Sequence, residues 1–208
     1  MNLEKSMRCF DETTIVWSKN ETQSDDDAKQ VLVANLREGD LVRTLGLKNS
    51  PDEPCMLTWT RATEVTVHNG RNYMAHTFLF ANDQQLTVTS PHIMIIWENG
   101  QPYFIRADQI KPGHDMIVDE NLNRIKNITT KVLTTKVNVG TEDGTIEANG
   151  VLTSGFCDHN PDLVNMSAKA ENTIEAYKMS HFGSAYNTMC MDVTSWRSAF
   201  VVDIGYSA

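Results

Sequence analysis

The chain has 208 residues, 40% of them hydrophobic, and carries 18 lysines and arginines against 27 acidic residues, a formal charge of −9. That length can bury a real core without metal or disulfide help, and the acidic balance removes the broad basic face that a phosphate backbone requires, so nucleic acid is not an expected partner. No apolar run approaches the roughly 18 residues that span a bilayer, and the N-terminal region lacks the charged-then-apolar pattern of a secretory signal. The expectation is a soluble monomer as given, with the secretory pathway left open for the case that a signal and cargo precede Met1.

In chain order, Cys9 stands immediately before the first strand-like run, "TTIVW", and is followed by "QVLVAN" and "DLVRT". Then come "TEVTV", "HTFLF", "QLTVT", "IMIIW", "DMIVD", "TTKVLTTKVNV" and "GTIEANGVLTS". The intervening "KNETQSDDD", "KNSPDEP", "HNGRN", "ANDQ" and "ENGQ" read as turns and loops. The body is therefore all-β. After Pro161 the pattern changes: Ile174, Tyr177, His181, Ala185, Met189, Val193 and Trp196 recur every three or four residues, one face of a helix, with Asn172 and Glu175 as a capping box. A C-terminal α-helical extension is predicted, docked on the β body by that face, with membrane contact as its alternative.

"ANLREGD" (Ala34 to Asp40) is echoed by "ADQIKPGHD" (Ala107 to Asp115), Gly39 and Gly113 taking the same place, with a fainter echo of "TEVTV" (Thr63 to Val67) in "TKVLT" (Thr130 to Thr134). The pattern predicts a duplicated β unit, against the alternative that glycine turns recur by chance in β proteins. Cys9, Cys55, Cys157 and Cys190 are widely spaced without a CxxC pair, so neither a metal site nor a disulfide framework is expected, and no cofactor is implied. Sequons at Asn20, Asn127 and Asn165 leave the compartment open.

In "QLTVTSPHIMIIW" an alternating strand is interrupted by Thr89-Ser-Pro-His92. Pro91 forbids regular pairing and forces a bend, so Thr89 and His92 can point into one pocket. There a histidine can donate to, or protonate, the nitrogen of a strained peptide bond, and a threonine hydroxyl can orient the same peptide. The alternative is a purely structural pair at a strand end.

The order of Cys9, "VANLREGDLVRT", the T-x-x-H block, "RADQIKPGHDMIV" and "DGTIEANGVLTSGFC" resembles the Hint superfamily of inteins and hedgehog autoprocessing domains, most of all the hedgehog-like branch. The resemblance covers roughly residues 7–160. It implies a Hint-type β fold of two pseudo-symmetric halves over 7–160, with 161–208 as the helical extension. It also implies an N-to-S acyl shift in which Cys9 attacks the carbonyl of Arg8, making a thioester at the scissile Arg8-Cys9 bond, with His92 as donor to the departing nitrogen and Thr89 as its orienting partner. A second nucleophile would then resolve the thioester: water, a thiol or a sterol. Splicing inteins end in Asn before Cys, Ser or Thr, whereas Asn160 precedes Pro161 here. The serine-cysteine pair that closes the hedgehog block is replaced by Ser154-Gly155, with Cys157 either its displaced counterpart or a core thiol. Where sterol-transferring members carry an aspartate, this chain has His68 or Asn69; His68 is either a base for the second step or an exposed turn residue. Arg8 stands where the family usually has glycine. The implied product is the peptide Met1 to Arg8 or a larger cargo. The rival expectation is a non-catalytic module of the same fold that binds a partner or membrane.

Overall fold

A computed structural model describes residues 9–45, 57–98 and 101–155. The expected tail at 161–208, its capping box, Arg8, Cys157 and the domain boundaries at 7 and 160 lie outside them. The described chain forms twelve strands: β1 (Phe10–Asp11), β2 (Ile15–Lys19), β3 (Lys29–Leu32), β4 (Leu41–Leu45), β5 (Leu57–Phe80), β6 (Gln85–Thr89), β7 (Ile93–Glu98), β8 (Gln101–Arg106), β9 (Asp115–Val118), β10 (Asn121–Thr141), β11 (Thr145–Ala148) and β12 (Val151–Ser154). They pair in the order β11-β12-β9-β10-β1-β6-β5-β4-β2-β3, and β7 branches from β9 and carries β8. The all-β expectation holds for this body.

β5 and β10 are long antiparallel partners from Phe80 and Ile125 at one end to Ala62 and Thr141 at the other. "HNGRN", expected as a turn between two strands, lies inside β5. Pairing continues on both sides of it, Asn69 with Thr135 and Tyr73 with Leu133, so the extra residues form a bulge in which Gly70 adopts φ 85°. The glycine that suggested a chain reversal supplies a local kink instead.

The duplication is written in the backbone hydrogen bonds. Short 3-10 turns at Val33–Asn35 and Ala107–Gln109 each lead to a glycine with φ near +95°, Gly39 at 93° and Gly113 at 98°. Gly39 N–H donates to Ala62 O (2.8 Å) and Ala62 N–H to Asp40 O (2.8 Å); in the second half Gly113 N–H donates to Ile125 O (2.9 Å) and Ile125 N–H to His114 O (2.9 Å). These bonds align Ala62 with Ile125, so Thr63 corresponds to Lys126. The fainter echo in "TKVLT" is out of register with that correspondence and is corrected by it.

β1 and β6 also correspond. Each runs into a tight bend closed by the same bond, Thr14 N–H to Asp11 O (3.0 Å) and His92 N–H to Thr89 O (3.0 Å), and the carbonyl ending each bend accepts from the 3-10 turn of its own half, Val33 N–H to Thr14 O (2.7 Å) and Ala107 N–H to His92 O (2.8 Å). Phe10 of β1 faces Val88 of β6 where the halves meet. Around it Phe78, Phe80, Leu86, Met94, Val137 and Val139 pack into one core. β7 is buried from Ile93 to Trp97, which fits its unbroken apolar run.

Candidate functional site

Alternation along β1 and β10 sorts side chains onto two faces. Phe10 pairs with Val137 and turns into the core; Cys9 and Asp11, one step to either side, face away with Lys136 and Asn138. Cys9 is fully buried. Its carbonyl accepts Thr89 N–H at 3.0 Å, and its thiol donates to Asn138 Oδ1 at 2.9 Å. The residue that opens the first strand is thus fixed from two strands at once.

The charge environment of that thiol is mixed. Burial pushes the Cys9 thiol up to about 11, opposed by the Lys136 ammonium and the Thr89 hydroxyl and reinforced by the Glu64 carboxylate. Lys136 is itself 1% exposed. Its Nζ makes no hydrogen bond of good geometry among the described residues and lies 4.2 Å from the Tyr73 ring centroid. Asp11, opposite Lys136, is occupied elsewhere: Lys131 Nζ donates to it at 2.6 Å, and Thr13 donates both its N–H (3.0 Å) and its hydroxyl (2.9 Å). Burial raises the Asp11 carboxyl, but these bonds outweigh it and hold the group below its ordinary range.

Thr89 and His92 come to this place by the bend that Pro91 imposes. Thr89 is 2% exposed, with its hydroxyl beside the Cys9 thiol and without a hydrogen bond of good geometry among the described residues, while its backbone N–H holds Cys9. His92 is fully buried, its ring edge-on to Phe10 at 4.8 Å between centroids. Its Nε2 lies 3.2 Å from Thr153 Oγ1, and Thr153 donates to Met94 Sδ at 3.3 Å. With that hydroxyl proton spent on sulfur, Thr153 accepts from Nε2–H, which assigns Nδ1 as the nitrogen left for proton exchange. Ser154, next along β12, donates to Ile93 O at 2.6 Å. The end of the described β12 is therefore pinned beside His92.

His68 lies on β5 directly across from Lys136. It is half-buried within a strand, so the exposed-turn alternative falls, because β10 continues to pair on both sides of it. Cys9, Thr89, His92 and His68 thus gather around β1 and β10. Sequence reasoning missed Lys136, Asn138 and Asp11. Their signal is the alternation "KVNV": in a strand core-facing at Val137 and Val139, the buried partners Lys136 and Asn138 are polar, which a folding role alone does not require.

The sequence matches no protein-family model and no curated protein. Solved structures do match. An intein-like domain from Clostridium thermocellum aligns with a TM-score of 0.54 and 16% identity, covering 72% of this chain and 99% of that one. A mutant of the Ssp DnaB mini-intein aligns with a TM-score of 0.58 and 8% identity over 76% of this chain and 97% of its own. The Mvu transcription factor IIB mini-intein aligns with a TM-score of 0.55 and 13% identity over 71% and 99%. At such identities the likeness establishes the fold: the β body is a Hint, intein-like fold.

Proposed function

We propose that this chain is a self-processing domain that breaks the Arg8-Cys9 peptide bond through a thioester. The observation that carries the reading is Cys9 itself, buried at the head of β1, bonded by Thr89 N–H and Asn138, with His92 packed on the next side chain. The intein fold of its structural neighbours supports it. In the first step the neutral His92 takes the Cys9 Sγ proton at Nδ1, and the sulfur attacks the Arg8 carbonyl carbon. The C–S bond forms, the bond to the Cys9 nitrogen breaks, and that nitrogen takes a proton from His92 Nδ1 to leave as a free amine. One proton leaves sulfur and one reaches nitrogen. The Thr89 hydroxyl orients the scissile peptide.

Water resolves the thioester in this reading. It adds at the acyl carbon, His68 takes its proton, and sulfur leaves as the thiol, releasing a free carboxylate. Asn160-Pro161 argues against splicing, and the T-x-x-H and "GTIEANGVLTS" blocks resemble the hedgehog-like branch, without the aspartate that would serve a sterol hydroxyl. A non-catalytic module is the second reading, favoured by one observation: a thiol pushed up to about 11 is protonated at neutral pH. The test fuses a foreign domain ahead of Met1. Cleavage between Arg8 and Cys9, accelerated by added thiol, abolished in Cys9→Ala, and leaving a free carboxylate even with cholesterol in detergent, supports the proposal. A stable parent fusion selects the module, and a sterol-sized mass addition replaces water with sterol.

A further inference from the structure

A buried ammonium without an anion is a costly arrangement, because burial removes hydration and nothing of opposite charge replaces it. Among the described residues Lys136 is in that state: 1% exposed, without a hydrogen bond of good geometry, and resting on the face of Tyr73. The groups around it explain why. Asp11 faces it across β1 but is held by Lys131 and Thr13, His68 faces it across β5, Tyr73 offers only its ring, and Glu64 lies further along β5. What remains within its influence is the Cys9 sulfur.

Resting on the self-processing reading, we propose that Lys136 is the cation that stabilises Cys9 as a thiolate during the acyl shift. In the resting chain the thiol is neutral and Lys136 has no anionic partner among the described residues. When Sγ ionises, both buried charges gain a partner in one event. The interaction therefore exists only in the charged species on the reaction path, which is how a site favours a transition state over its ground state. Asn138 holds the thiol proton in the resting state through its 2.9 Å bond, and loss of that proton turns the same sulfur toward the ammonium. A lysine kept only for packing gains nothing from ionisation at Cys9.

The test compares the full chain with Lys136→Met, which keeps the aliphatic length without charge, and Lys136→Arg, which keeps the charge. Lys136→Gln replaces the methionine variant if that does not fold, judged by the β-sheet spectrum. The readout is the thiolate ultraviolet absorbance of Cys9 at about pH 10, taken as the difference from a Cys9→Ser background. The expected loss is about tenfold in Lys136→Met, corresponding to one pKa unit, with Lys136→Arg within about twofold of the parent. Fusion cleavage should slow in the same ratio. Unchanged thiolate absorbance in a folded Lys136→Met or Lys136→Gln overturns the inference, as does cleavage at the parent rate. If the absorbance falls as expected but the parent fusion never cleaves, the ion pair stands and the self-processing reading fails.

Discussion

The bend from Asp11 to Thr14 and the bend from Thr89 to His92 share one backbone design and differ in everything their side chains do. Each is closed by an N–H to C=O bond of 3.0 Å and each is tied to the 3-10 turn of its own half. In the first, Asp11 is bound by Lys131 and Thr13, and Thr14 is buried at 1% exposure. In the second, the Thr89 hydroxyl lies beside the thiol, and His92 is oriented by Thr153. Duplication supplies the same turn twice, and in the proposed reaction the copy lying across from Cys9 is the one that carries the acid-base chemistry. The other is left to hold the sheet.

The two bends should differ most at their last residue, Thr14 in one and His92 in the other. His92→Ala should slow fusion cleavage by about 10²-fold, the scale of a lost general acid. Thr14→Ala, the same place in the other half, should leave the rate within about twofold. Equal rates in the two variants, measured by the appearance of the released fragment, would make the bends equivalent and His92 structural.

Asp11 against Thr89 should separate stability from chemistry. Asp11→Asn removes a charge-assisted network and should cost about 1–3 kcal/mol by urea denaturation while cleavage is retained. The sign of its pH dependence follows from the depressed carboxyl. That contribution is present above the ordinary aspartate pKa and is lost as pH falls through the lower folded value, so parent and Asp11→Asn should converge in acid. A gap that persists below both values would assign the loss to packing.

The smallest expected difference is between the two glycines. Gly39 and Gly113 have nearly equal positive φ, and a Cβ at either would meet nothing within 4 Å. Alanine at each should therefore cost only the left-handed backbone term, about 1 kcal/mol, and the two costs should agree within about 0.5 kcal/mol. Unequal melting shifts would show that the halves bear load differently.

Much of this was legible in the residues. The alternating runs give the strands, because a half-buried sheet forces a period of two. Gly39 and Gly113 mark the repeat because a φ near +95° is open to glycine and costly for most other residues. Thr89 and His92 are signalled by Pro91, which ends a ladder where a site can open. Gly70 misled, since a glycine in "HNGRN" fits a bulge as well as a turn, and only the pairing of Asn69 and Tyr73 with β10 decides between them. Lys136, Asn138 and Asp11 stayed hidden for a different reason. Their importance comes from β10 crossing β1, a contact between residues far apart in sequence that no local pattern encodes.

In the proposed reaction the sulfur of Cys9 carries the acyl group of Arg8. Hydroxylamine added to the fusion attacks such a thioester and leaves a hydroxamate on the released fragment, which mass spectrometry identifies by its C-terminal residue. A fragment ending in Arg8 hydroxamate is expected from the parent and none from Cys9→Ala. An intact parent fusion, or the same hydroxamate from Cys9→Ala, would contradict it.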